Sequence, residues 1–222
     1  MQLGNHTASH PDLNRVSSSA LEADIVAGEA TLRPLLAQTG RRLAYFRFPF
    51  NHTGDTREKH DEVQRFLHER GYAVATCTID NEDYVFESAY RRARNLGDSA
   101  TARRVEQAYL AYTAAEIDWY GDLDRRVLGR LAPQVMLLHA NALNASVLPA
   151  VLDLFVARGY RFIGLSEAQR DPAFGLPDTF ITPFGPMWGY RWAKERGVRV
   201  DGSREQEPPP WVLAYGQTGK AK

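Results

Sequence analysis

The sequence predicts an α/β fold built on a parallel sheet. Four strand-like runs, "RLAYFRF", "YAVATCTI", "QVMLLH" and "YRFIGL", are rich in aromatic and β-branched residues. Helical patterns separate them, and strands that alternate with helices pair in parallel. The second run is apolar nearly throughout, as a strand covered on both faces is. The chain has 222 residues, enough for one substantial domain and a tail.

Taken in order, Ser17, Ser18 and Ser19 are capping residues, and Ser19-Ala20-Leu21-Glu22 reads as a capping box opening a helix. Leu21, Ile25, Leu32, Leu35 and Leu36 mark its apolar face, and Gly40 stops it. The first strand follows. Val63, Phe66 and Leu67 give the next helix its inner face, and Gly71 ends that helix before the second strand. A long helical block runs from about Ser88 to Leu131, then the third strand, the helix "SVLPAVLDLFVARG" and the fourth strand. After Asp171 the character changes. Pro, Gly and aromatic residues dominate, so residues 171–222 read as an irregular extension packed by Phe174, Phe180, Phe184, Trp188 and Trp192. "DGSREQEPPP" and the last residues read as mobile. No internal repeat is present.

Bulk composition narrows the function. Charges balance at 27 basic and 27 acidic residues, so nothing electrostatic favours nucleic acid or an anionic membrane surface. No apolar run approaches the roughly 18 residues of a membrane span. Cys77 is the single cysteine, which excludes an intrachain disulfide and a cysteine zinc cluster. No basic stretch followed by an apolar one opens the chain, so no signal peptide is visible, an observation that bears on export only if Met1 is the true start.

In α/β folds the reactive residues collect at the C-terminal ends of parallel strands. "YFRF" runs into Pro49-Phe50-Asn51-His52, "TCTI" into Asp80-Asn81-Glu82-Asp83, and "VMLL" into His139. His6 and His10 stand in the first loop, and all of these are expected to converge on one mouth. Two imidazoles four residues apart can face one metal ion, although a loop with two solvated histidines has the same spacing. Zinc needs a third protein ligand, and none is obvious downstream. Arg47, set among aromatics, needs a carboxylate partner and could equally be structural. Asp80 and Asp83 could be turn and cap residues. His139 could be a packed core histidine or a general acid.

The order of these stretches resembles the polysaccharide deacetylases, the NodB-type carbohydrate esterases of family 4. "HTASH" resembles the family's H-[ST]-x-x-H zinc motif, "RFPF" its R-x-P-[YF] motif, "DNEDY" its D-x-x-D-W motif with Tyr84 in place of tryptophan, and "LLH" its L-x-H motif. The likeness runs from about Gly4 to Ala168. It implies an incomplete, distorted (β/α) barrel over residues 1–170, lacking its first strand and helix and carrying the helical block 88–131 as an insertion.

The resemblance also implies roles. His6 and His10 would hold a divalent metal, zinc first among them. His139 would protonate the leaving amine, and Asp83 would orient and charge it. The N–H of Phe50 would stabilise the oxyanion, and Arg47 would pair with the base aspartate. Leu137, Tyr84 and Asp80 would line the pocket for the acetyl group; His52 and Asp55 are polar enough to contact a sugar. The family's base and third metal ligand come from an aspartate pair upstream of the histidines, absent from the sequence as written, so impaired activity is expected. The expected substrate is an N-acetylated glycan or a small acylated amine, the expected reaction removal of the acetyl group, and the family implies export. The alternative is a vestigial module that binds carbohydrate or metal without turnover. Neither nucleic acid nor a membrane span is expected, and oligomeric state is open.

Overall fold

The computed structural model describes residues 2–217. Their order is α1 (Ser18–Ala37), β1 (Tyr45–Phe46), α2 (Arg57–Glu69), β2 (Ala73–Val74), α3 (Asp83–Asn95), α4 (Ser99–Leu128), α5 (Ala142–Val156), α6 (Leu165–Ala168), α7 (Trp188–Glu195) and α8 (Pro210–Gln217). The fold is mixed α/β and mainly helical. The chain divides into two compact units, one from residues up to Thr76 together with Gly164–Gly197, the other from Cys77–Ile163 together with residues from Val198 onward.

In the first unit β1 and β2 pair in parallel, Tyr45 against Ala73 and Phe46 against Val74. Asn5 adds a parallel bridge to Phe46 on the other side. Leu21 and Ile25 of α1 and Val63 and Leu67 of α2 pack with Phe46, Phe48 and Leu43 into one apolar core. The α1 cap is Ser17, whose hydroxyl accepts from the Ala20 N–H at 3.2 Å, two residues before the expected Ser19 box. Leu35, expected on the inner face of α1, is 51% exposed.

In the second unit α3 packs on α4, α5 and α8, and α4 on α5. The expected helical block is two helices, α3 and α4, broken at Gly97, which takes φ 70°. Asp98 then caps α4 by accepting from the Thr101 N–H. The inner face of α4 carries Val105, Tyr109, Tyr112, Thr113, Glu116, Ile117 and Tyr120, an apolar and aromatic stripe interrupted by polar groups.

Two expected strands are corrected. "QVMLLH" forms one isolated bridge, Met136 with Ile79, and no strand. "YRFIGL" forms no strand among the described residues, and Phe162 within it is 58% exposed. The C-terminal segment is less irregular than expected. It holds α7, which buries Trp188 and Trp192, and "DGSREQEPPP" leads directly into α8. The last residues of the expected mobile end, 218–222, lie outside the described residues.

Candidate functional site

The first unit gathers His6, His10, Arg47 and Phe50. Buried Asn5 anchors the histidine loop to the sheet: its N–H donates to the Tyr45 carbonyl at 2.7 Å and its carbonyl accepts from the Arg47 N–H at 3.0 Å. Its side chain donates to the Ile25 carbonyl and accepts from the Thr7 N–H. Asp24 of α1 closes the loop from the other end, accepting from the Ala8 and Ser9 N–H groups and from the Ser9 hydroxyl. These donors hold the Asp24 carboxyl below the usual range, against the opposing effect of burial.

Inside that loop the His6 Nδ1 lies 2.9 Å from the Arg47 carbonyl oxygen. A carbonyl only accepts, so Nδ1 carries the proton and Nε2 the lone pair, the tautomer a metal ligand needs. The His6 and His10 rings are 4.8 Å apart, centroid to centroid, and nearly perpendicular. Phe50 stands 4.7 Å from His10, ring edge to face, and is 53% exposed. Arg47 is half-buried and enters this arrangement through its backbone. His6 and Arg47, with Tyr45, Ala75 and Leu165, line a cavity of about 270 Å³.

The second unit gathers Asp80, Asp83, Tyr84, Leu137 and His139. Asp83 opens α3 and is fully buried. Its Oδ1 accepts from the His139 Nδ1 at 2.6 Å, and its Oδ2 from the His139 N–H at 2.8 Å. Asn141 Nδ2, at 3.0 Å, and Asn144 Nδ2 donate to the same Oδ2. Asn144 in turn accepts from the Tyr109 hydroxyl at 2.6 Å, which accepts from Asn81 at 2.6 Å. The His139 side chain is half exposed, so its Nδ1 is fixed by a buried carboxylate while the ring reaches solvent. Tyr84 is 55% exposed and meets the His139 ring edge-on at 6.2 Å. Leu137 hangs from the Ile79 carbonyl by its N–H at 2.9 Å.

Around Asp83 the field is negative. Burial, then the Asp80, Glu207 and Glu205 charges, lifts the Glu82 carboxyl to about 7. Burial, then Glu205 and Glu82, lifts that of Glu116 to about 8, and both Glu116 oxygens are buried without a hydrogen-bond partner among the described residues. Asp80 is raised too, burial leading, while accepting from the Glu82 N–H at 2.9 Å.

Among the described residues, the non-glycine residues with positive φ are Thr7, His10, Phe50, Asn51 and Glu82. All five fall within or beside the stretches selected from sequence. Each such conformation costs about 1–3 kcal/mol and survives only where the surroundings enforce it, which is why they concentrate at functional sites. The sequence alone did not single out the residues that hold the histidine loop and Asp83 in place. Asn5, Asp24, Asn144 and Tyr109 read locally as turn, helix or core residues.

The histidine pair has the chemistry of part of a metal site, with one imidazole already in the required tautomer. Among the described residues no group of three His, Cys, Asp or Glu side chains could complete it. Compared with known proteins, residues 1–65 match the family model for polysaccharide deacetylases, a span that contains both histidines, Arg47 and Phe50. No curated protein and no solved structure matches the chain.

Proposed function

We propose, from the premise that residues 1–65 are of polysaccharide deacetylase type, that the chain is a metal-dependent hydrolase removing N-acetyl groups from a carbohydrate. The observation that carries this reading is the Asp83–His139 pair: a solvent-reaching imidazole whose tautomer is set by a buried carboxylate with four donors upon it. Such an imidazole is a general acid for an amine leaving group. The parallel pairings of Asn5, β1 and β2 support an incomplete (β/α) barrel.

In this reading each side chain has a defined task. His139 delivers the proton on Nε2 to the departing amine nitrogen, and Asp83 stabilises the charged ring beforehand. The Phe50 N–H donates to the oxyanion that develops as the acetyl carbonyl is attacked. His6 and His10 would hold the divalent ion, zinc being the first choice for imidazole ligands. The ion supplies Lewis-acid polarisation and a more acidic water. Tyr84 and Leu137 border the acetyl group, and Asp80 sets the turn beneath them.

Acetate release from N-acetylglucosamine oligomers, peptidoglycan and a small N-acetyl amine, with added zinc and with chelator, tests the reading. Zinc-dependent release is expected, with His139→Ala losing roughly 10²–10⁴-fold in kcat. Zinc titration by calorimetry should weaken for the doubly substituted His6→Ala, His10→Ala protein. No release from any of these substrates at saturating zinc overturns the hydrolase and leaves a non-catalytic binding module.

A further inference from the structure

Phe50 and Asn51 are two consecutive side-chain-bearing residues in the left-handed region, with φ 58° and 53°. The preceding proline and two short-range bonds, Asn51 N–H to the Phe48 carbonyl and His52 N–H to the Pro49 carbonyl, close the turn locally. A single helical turn of this kind does not choose that backbone unaided, because the right-handed alternative is open to both residues.

What holds it comes from 140 residues further along the chain, within the same unit. Arg191 of α7 is 1% exposed. Its Nη2 donates to the Asn51 carbonyl at 3.1 Å, and its Nη1 donates to the Thr53 hydroxyl at 2.9 Å and to Asp178 at 2.8 Å. Gly185 lies so close to the same turn that a β-carbon there would sit 2.0 Å from the Phe50 carbonyl oxygen. Taking a guanidinium out of water is costly, and a buried ion pair is weak evidence for a purely stabilising role. The planar fork, by contrast, reaches three separately placed acceptors at once, which no apolar or ammonium side chain does.

We propose that Arg191 is a positioning residue for the Phe50 turn: with Gly185 it clamps Phe50 and Asn51 so that the Phe50 N–H is fixed for the oxyanion. This gives the segment 178–191 a task in the chemistry, and it rests on the deacetylase reading above.

The test compares wild type, Arg191→Ala, Arg191→Lys and Gly185→Ala. Misplacing a reacting group by about 1 Å costs roughly a hundredfold, so Arg191→Ala should lose kcat on that scale with KM within about threefold. Millimolar guanidinium should restore much of the loss, and Arg191→Lys should not. A kcat that stays within a few-fold of wild type, or a loss that guanidinium does not recover, overturns the proposal and leaves Arg191 a structural ion pair. Should Arg191→Ala fail to fold, Gly185→Ala serves instead: the same kcat-selective loss is expected, and an unchanged kcat overturns the clamp. Amide hydrogen exchange separates this inference from the deacetylase reading. Faster exchange at Phe50–Thr53 in Arg191→Ala, with α1 and α2 unchanged, is expected whether or not wild type turns over; unaltered exchange there refutes the clamp even in an active enzyme.

Discussion

At the scale of single residues, the centre of the second unit is one carboxylate. Asp83 is fully buried and takes four donors, three of them on Oδ2. Asp83→Asn keeps the size and can still accept from the His139 Nδ1. It must, however, turn an NH₂ group toward the His139 N–H, Asn141 and Asn144, leaving buried donors facing a donor. An unsatisfied buried polar group costs about 1–3 kcal/mol, and the charge that stabilises a protonated His139 is lost. We expect kcat to fall by roughly a hundredfold or more, with a change in the His139 ring nitrogen shifts by NMR. Ring shifts identical to wild type would contradict the assigned pairing. The pairing of Asp83 with His139 was suggested by motif order, His139 following one apolar run directly and Asp83 standing in the acidic turn after another. The roles of Asn144, Tyr109 and Arg191 were not, because each reaches partners far along the chain, up to 140 positions for Arg191, and no local pattern records them.

At the scale of elements, the start of α5 couples helix formation to that carboxylate. Asn141 accepts from the Asn144 N–H through Oδ1 at 2.7 Å, an N-cap, and donates to Asp83 through Nδ2 at 3.0 Å. Asn141→Ala removes both. Losing a cap costs about 1 kcal/mol, which in a chain of this size lowers Tm by roughly 2–4 °C. Asn141→Ser restores the cap without the donor, so Tm should recover while kcat remains low; recovery of both would show that the donor to Asp83 is idle. Helices were legible because a 3.6-residue period belongs to one segment alone. Strands were over-read. Among the described residues "QVMLLH" is half-buried up to Leu138 and forms a single bridge, at Met136, with a few backbone bonds at Val135 and Leu137 beside it, and an apolar run does not by itself report a ladder.

At the scale of the whole molecule, the α/β class was legible, while the return of residues 164–197 to the unit formed by the N-terminal residues was not, since it is a set of long-range contacts. The pH dependence of stability between about 2 and 8 draws on Glu29, Glu116 and Glu82, none of them given a role by the sequence. Glu29, buried and paired with Arg70 at 2.6 Å and Arg33 at 2.9 Å, is held at about 2, so the folded state binds its proton less readily than the unfolded chain. Its stabilisation is complete above pH 4.5 and fades as pH falls toward 2. Glu116 runs the other way. At about 8, against 4.5 when unfolded, the folded state keeps its proton longer, so stability is full below pH 4.5 and drains as pH rises to 8. Glu82, at about 7, adds to the same slope. The slope from one such group reaches at most about 1.4 kcal/mol per pH unit. Tm should therefore peak near pH 5 and decline toward pH 8. Glu116→Gln, which keeps the shape and cannot ionise, should flatten the decline and raise Tm at pH 8, whereas Glu29→Gln should lower Tm at pH 7 by stranding two arginines. A wild-type Tm that climbs between pH 5 and pH 8, or a Glu116→Gln profile parallel to it, would mean that the carboxylate on α4 ionises without penalty and that the negative field around Asp83 is neutralised.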